Sequence, residues 1–441
     1  MRRSGCRRRA ESNPIIEENM SDNTESHKRV AKNTIYLSIM EGVEIAIPFL
    51  ALPYIIKTVT ADNYGKIAFA QSIVAYFSVV VDFGLSIVAA KEVASHRDDR
   101  TELGRIFSTM LIIKSSLLFV CLILLNLFVC TWSRTNTDVL LYNYCFGVCL
   151  ADVVFMKWLY QGIEKMFVIT LIRSSSLLIY LALLFTFVKE VDDYRRIPLM
   201  QSGCMVATSL VGLIVMVKHE KIRPVMPDFT YVSSFFKKSV SFFLSRCSIT
   251  INSKIATTVI GATLGDHEVA AYDLAQKIAR AALLPASMVG QASYPYNARK
   301  KDARFATKIL FGLLLLVGVM LVCLFFMAPF CVKILSHGNL PESAHLVRML
   351  IPYIFIGSVS VYLGTPMLVA WGHSKPFNHS VFWSTGILLL IYGIFYVLKT
   401  GTPGSYCLVL CFGELGVASY RLYHCIKNKI IQIHDPDKQE P

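Results

Sequence analysis

Apolar stretches of about 20 residues, the length that spans about 30 Å of hydrocarbon, recur from Asn33 almost to the C-terminus. A chain built this way must satisfy its backbone polar groups within each segment, so helices are the expected spanning elements. Its 441 residues are 54% hydrophobic and only 17% charged, against roughly 25% charged in soluble domains. The fold class expected is therefore all-α and integral to a membrane, with about twelve transmembrane helices and no room for a large soluble domain.

The apolar windows and their polar breaks place spans near 33–59, 64–94, 105–130, 137–161, 166–188 and 197–217. A second set follows near 235–263, 268–296, 306–334, 341–371, 377–398 and 403–426. Between them, Pro224 and Pro227 among Lys218, Lys221 and Arg223 read as an exposed linker over 218–234. The domains expected are a disordered tail (1–32), two six-helix bundles (33–217 and 235–426) and a second tail (427–441). The run Arg2, Arg3, Arg7, Arg8 and Arg9 precedes no apolar core, so it is no signal peptide, and it predicts a translation start at Met20.

The net charge of +14 is spread over short loops and forms no continuous basic face, which argues against nucleic acid as a partner. About 29 Lys and Arg fall on one side of the predicted spans against roughly 8 on the other. Both termini are thus expected to be cytoplasmic, and an even number of spans follows. The twelve cysteines have no metal-ligand spacing; Cys145 with Cys149 and Cys407 with Cys411 read as buried apolar residues. No metal or cofactor is expected.

Ionisable residues within spans are costly unless they face protein or a wet cavity, and here they form stripes. Glu41 and Glu44 share one face of the first span. Gln71, Ser78, Asp82 and Ser86 mark the second, and Ser239, Arg246, Thr250, Ser253 and Thr257 mark the seventh, with Lys254 beside them. The eighth carries Asp273, Lys277, Arg280, Ser287 and Gln291. These stripes predict one central cavity, acidic on its N-terminal side and mostly basic on the other. Arg246, Lys277, Arg280, Lys254 and Gln71 are the candidate binding residues for an anionic substrate, since guanidinium offers paired donors to phosphate oxygens. Glu41, Glu44, Asp82 and Asp273 are the candidate ion-coupling residues. The competing structural reading pairs Asp273 with Lys277, and Glu41 or Glu44 with Arg246. Lys114 and Arg173 are expected to snorkel to the interface. Tyr54, Tyr64, Trp132, Trp158 and Tyr160 are expected to anchor span ends there.

A faint repeat links Ala70-Gln71-Ser72-Ile73 to Ala275-Gln276-Lys277-Ile278 at matched places in the two halves. Duplicated halves around a midplane site are a common transporter plan.

Pro48-Phe49-Leu50-Ala51-Leu52-Pro53-Tyr54, Asn63-Tyr64-Gly65, Phe69-Ala70-Gln71-Ser72 and Val81-Asp82-Phe83-Gly84 resemble the opening of O-antigen and capsule flippases of the Wzx type. Trp158-Leu159-Tyr160-Gln161-Gly162 and Phe243-Leu244-Ser245-Arg246 are similar to that family's fourth-span and seventh-span motifs. The resemblance implies a multidrug/oligosaccharidyl-lipid/polysaccharide exporter fold, with two six-helix bundles around a central cavity in the bacterial inner membrane. It implies as substrate an undecaprenyl-diphosphate-linked oligosaccharide, with membrane lipid, a polysaccharide polymerase and a chain-length regulator as candidate partners. Glu41 and Glu44 stand where such proteins often carry Gln and Asn, Lys91 where Arg is common, and Met156 where Pro is common. The expected role is transport, with proton coupling, rather than catalysis: the longest outer loops, near Val188–Ile197 and Lys333–Pro341, are short for an enzyme site. A lipid II flippase and a multidrug or cation antiporter are the alternatives.

Overall fold

The computed structural model describes residues 40, 42–398 and 400–431. The expectations for the two tails beyond them, the Met20 start and Glu41 lie outside the described residues.

Among the described residues, fourteen α-helices stand where the twelve spans are expected. They are α1 (Gly42–Val59), α2 (Ala61–Asp82), α3 (Leu85–Ser95), α4 (Arg100–Thr131), α5 (Val139–Val154), α6 (Lys157–Gly162) and α7 (Met166–Phe187). The chain continues through α8 (Arg196–His219), α9 (Phe229–Thr263), α10 (Asp266–Lys300), α11 (Ala303–Ser336), α12 (Ser343–Tyr362), α13 (Ser374–Leu398) and α14 (Pro403–Lys427). Two spans are each broken into a pair of helices, α2 with α3 and α5 with α6. No strand occurs among the described residues. Among the described residues, nine helical spans are long and apolar enough to cross a membrane. The long helices α9, α10 and α14 fall short of that apolar threshold, and α9 and α10 carry the polar stripes.

The apolar surface faces outward, as a bilayer requires. Only 22% of the apolar window in Ala303–Ser336 is buried, and Leu315, Phe326 and Trp383 are more than two-thirds exposed. In water such a surface would be an aggregation site; in lipid it costs nothing.

Local chemistry sets the helix ends and breaks. The Asp99 carboxylate accepts from the Thr101 and Glu102 N–H groups (2.9 and 3.0 Å) and so caps α4. Asp302 caps α11 through Phe305 N–H (3.1 Å), and Thr402 with Ser405 forms a capping box in front of Pro403. The second span breaks where Phe83 and Gly84 both take left-handed backbone, φ 45° and 69°. Gly84 is needed twice over, because a Cβ there would sit 2.7 Å from Phe242 Cβ and Phe243 N on α9. After α12 the helix widens into a π-turn over Leu363–Val369 around Pro366, whose carbonyl accepts from Asn297 Nδ2 at 2.9 Å.

The helices gather into two bundles. In the first, α2 packs on α4 and α5, α5 on α8, and α8 on α7; in the second, α12 packs on α10, α11 and α14, and α13 on α9 and α14. They meet where α2 lies against α9 and α10, and α3 against α9. At the end of the molecule where α10 begins, the contact is close. A Cβ on Gly65 would lie 1.8 Å from the Asp266 carbonyl oxygen, and one on Gly261 would lie 2.1 Å from the Phe69 ring. Around this seam Arg134 pairs with Asp266 (2.9 Å), and His267 bridges Asp62 (3.1 Å) and Glu342 (2.9 Å).

Gly65→Ala should therefore push α2 from α10, at an overpacking cost of about 1–3 kcal/mol. The detergent-solubilised variant should melt several degrees lower; an unchanged melting curve would mean that the two helices are not held at this distance.

Candidate functional site

Two breaks and one long helix shape a chamber of about 300 Å³ walled by the first bundle and by α9 of the second. The kink at Phe83-Gly84 turns Asp82 and Ser86 toward it from α2 and α3. The break at Phe155-Met156 swings α6 so that Lys157, Trp158 and Gln161 line its wall, while α9 contributes Arg246, Ile249 and Thr250. Lys114, Asp152 and Arg173 complete the charged lining. Among the described residues, four bases and two acids line the chamber, and a third acid, Glu44, pairs with Arg173.

Most of these charges are answered. Lys114, only 3% exposed, donates to Asp82 (2.8 Å) and to Ser86 (3.1 Å), and the Ser86 hydroxyl also donates to Asp82. Arg173 pairs with Glu44 of α1 at 3.5 Å, and the Ser78 hydroxyl donates to Asp152 at 3.3 Å. Arg246 differs. Its side chain is exposed in the chamber, and among the described residues no hydrogen bond or ion pair reaches its guanidinium. An unpaired guanidinium at this depth is costly unless water or a ligand satisfies it.

The other sequence candidates do not all join this chamber. Eight residues separate Arg246 from Lys254, about 12 Å along a helix. Lys254 lies within electrostatic reach of Arg280, Asp273 and Lys277, forming a second cluster where α9 and α10 meet α2. There Lys277 pairs with Asp273 at 2.8 Å, and the Tyr64 hydroxyl, held by Lys277, donates to the same carboxylate. Arg280 donates to the Ser253 carbonyl and the Gln276 side chain, both at 3.3 Å. Gln71 donates to Gln201 at 3.0 Å. The geometry thus brings Arg246 and Asp82 together, places Glu44 behind Arg173, and gathers Lys254, Asp273, Lys277 and Arg280 elsewhere.

Several expectations need correction. Lys114 does not snorkel; an acid on a neighbouring helix makes burial less costly than reaching the interface. Arg173 points into the chamber for the same reason. The partner of Glu44 is Arg173, not Arg246. Trp158 and Tyr160 are buried at 2% and 0% exposure rather than anchored at an interface, because the α6 break turns them inward; the Tyr160 hydroxyl donates to the Gly212 carbonyl (2.6 Å). Tyr64 is likewise buried between the bundles.

Lys114, Asp152, Lys157 and Arg173 were missed as chamber residues. For Lys157 a signal existed, since it adjoins the Trp158–Gly162 motif; for the others, position within an apolar span was the only clue. No group of three or more potential metal ligands occurs among the described residues.

Comparison with known proteins gives three findings. The family described as polysaccharide biosynthesis protein matches residues 30–301. Two curated relatives, from Escherichia coli (strain K12) and Shigella dysenteriae, both carry the name "Putative O-antigen transporter". They are 25% identical over 91% of this chain and 97% of theirs, and 23% identical over 89% and 98%. A solved structure, the outward-facing conformation of a multidrug resistance MATE family transporter of the MOP superfamily, superposes with a TM-score of 0.61. That match covers 91% of this chain and 96% of the other at 12% identity, a likeness of fold alone. The architecture is the two-bundle fold of that superfamily.

Proposed function

Because the chain belongs to the polysaccharide biosynthesis protein family, we propose that it is a flippase for undecaprenyl-diphosphate-linked oligosaccharide repeat units. It carries them from the cytoplasmic to the periplasmic leaflet of a bacterial inner membrane, with both termini cytoplasmic and with 33–217 and 235–426 as the two bundles. The observation that carries this reading is Arg246, which has no hydrogen-bond or ion-pair partner among the described residues and faces a chamber whose described lining holds more bases than acids. A diphosphate carries the charge such a wall lacks, and it cannot cross hydrocarbon unaided. The names of the two relatives support the same substrate class. A cation exporter would need the opposite excess, so the antiporter alternative is less well supported by this chamber.

Proton coupling is the second part of the proposal. Glu44, Asp82 and Asp273 each sit against a base, so a proton reaches them when the pairs separate during the cycle. Glu41 is a fourth candidate.

Both parts are tested in proteoliposomes with a fluorescent undecaprenyl-diphosphate oligosaccharide and, for comparison, lipid II. The protein should flip the first and not the second, faster under an imposed proton gradient. Replacing Glu41, Glu44 and Asp82 together with amides, with Lys114→Met added so that no buried ammonium loses its counter-ion, should leave insertion intact and remove the pH dependence. Flipping of lipid II alone would move the protein to another substrate; a pH dependence unchanged by the amides would exclude these acids as carriers.

A further inference from the structure

On the far side of Ile249 lies a second chamber, of about 230 Å³, inside the other bundle. Ile249 lines both chambers, and α9 supplies the next residues on, Asn252 and Ser253, to the second. Arg246 and Ser253 are seven residues apart, about 10 Å along the helix. The two chambers therefore adjoin, offset by two helical turns.

Their chemistry differs. The second chamber has one acid, Glu414, and one base, Arg421, on the same helix. Arg421 is 6% exposed and already engaged: Nε donates to Ser380 Oγ (3.0 Å), Nη1 to the Ser360 carbonyl (2.8 Å) and hydroxyl (3.0 Å), and its plane covers the Phe377 ring at 4.6 Å. It thus presents little charge to a ligand. The Asn252 side-chain oxygen is buried with no hydrogen-bond partner, and no hydrogen bond or ion pair reaches Glu414 among the described residues. A buried acceptor left unsatisfied is costly and calls for a donor.

We propose that this second chamber is a carbohydrate subsite that takes an uncharged sugar ring of the lipid-linked substrate while its diphosphate lies against Arg246. The inference rests on the function proposed above and adds where the glycan goes. An anion is disfavoured by Glu414 and by the prior engagement of Arg421. A bare cation fits poorly too. Only one carboxylate lines the walls, and the volume exceeds several-fold the roughly 30 Å³ share of one water molecule. A sugar ring offers hydroxyl donors to Asn252 and Glu414, and its apolar face suits Ile249, Leu388 and Tyr353.

The test compares two probes on purified full-length protein, undecaprenyl diphosphate and the same lipid carrying one N-acetylglucosamine. Wild type should bind the glycosylated probe more tightly. Asn252→Leu and Glu414→Gln should each weaken that probe by about tenfold, the scale of one lost hydrogen bond to a charged or buried group. They should leave undecaprenyl diphosphate unchanged, which also shows that the variants are folded. Arg246→Ala should weaken both probes alike. Equal losses of both probes in Asn252→Leu, or no loss of either, would overturn the subsite while leaving the diphosphate reading intact. Altered sodium or proton dependence in Glu414→Gln, with lipid binding unaltered, would make Glu414 an ion site instead and overturn it as well. Wild type binding neither probe would remove the function and the subsite together.

Discussion

Arg246→Ala should stop export of the lipid-linked saccharide while the protein still reaches the membrane at normal abundance. Among the described residues no hydrogen bond or ion pair reaches the guanidinium, and Asp82, the acid nearest it in the chamber, keeps Lys114 as its direct counter-ion, so removing Arg246 breaks no described pair. What is lost is recognition of the ligand. Truncating one member of a desolvated charge pair costs about 2–5 kcal/mol, and roughly a thirtyfold or larger loss of affinity follows. Arg246→Lys should keep part of the activity, because an ammonium keeps the charge but not the two-pronged geometry. Membrane levels and surface polysaccharide, measured side by side, decide the matter. Normal export by Arg246→Ala at normal abundance would take the residue out of the mechanism. Since Glu44 pairs with Arg173, removing that acid should not rescue an Arg246 variant.

The opposite signature is expected at Lys114. It is buried at 3% exposure and held by Asp82 and Ser86 from the kinked second span. Lys114→Met leaves the Asp82 carboxylate without its counter-ion in a low-dielectric wall, at a cost of about 3–5 kcal/mol, a large share of a typical folding free energy. The variant should accumulate poorly and melt many degrees lower in detergent. Adding Asp82→Asn should restore much of the abundance, because the uncompensated charge is then gone. Full abundance and unchanged melting in Lys114→Met would show that the pair carries no structural load. A double variant as poor as the single one would show that packing, not charge, dominates at this site.

These two bases illustrate what was legible and what was not. Both stand within stretches that the sequence reads as membrane spans, and both announce themselves as expensive. Arg246 could be singled out because its helix also carries Thr250 and Ser253 on one face, within a motif that resembles a known family. Lys114 had no such neighbours on α4, and its partner lies 32 residues away on another helix. Trp158 and Tyr64 read as interfacial anchors because aromatic residues near span ends usually are. One was turned inward by the break at Phe155-Met156, the other by the approach of α10 to Gly65.

The sequence by itself determined the solvent and the all-helical class, because these depend on hydropathy and backbone hydrogen bonding along the chain, which are local quantities; the breaks at Phe83-Gly84 and Phe155-Met156 emerged only in the structure. It also determined which helices carry polar faces, since helical periodicity is a local property. Which acid answers which base was decided only by the tertiary structure. An ion pair is set by distances of 3–4 Å between helices, and no spacing along one helix encodes them. The tertiary structure therefore split the expected single cavity into parts: a chamber around Arg246, a paired cluster around Asp273 and Lys277, and a near-neutral chamber around Asn252 and Glu414. The cause is the close packing of α2 on α9 and α10. It brings Tyr64, Asp273 and Lys277 within bonding distance, while Arg246, about two turns from Lys254 along α9, lines the other chamber with Asp82.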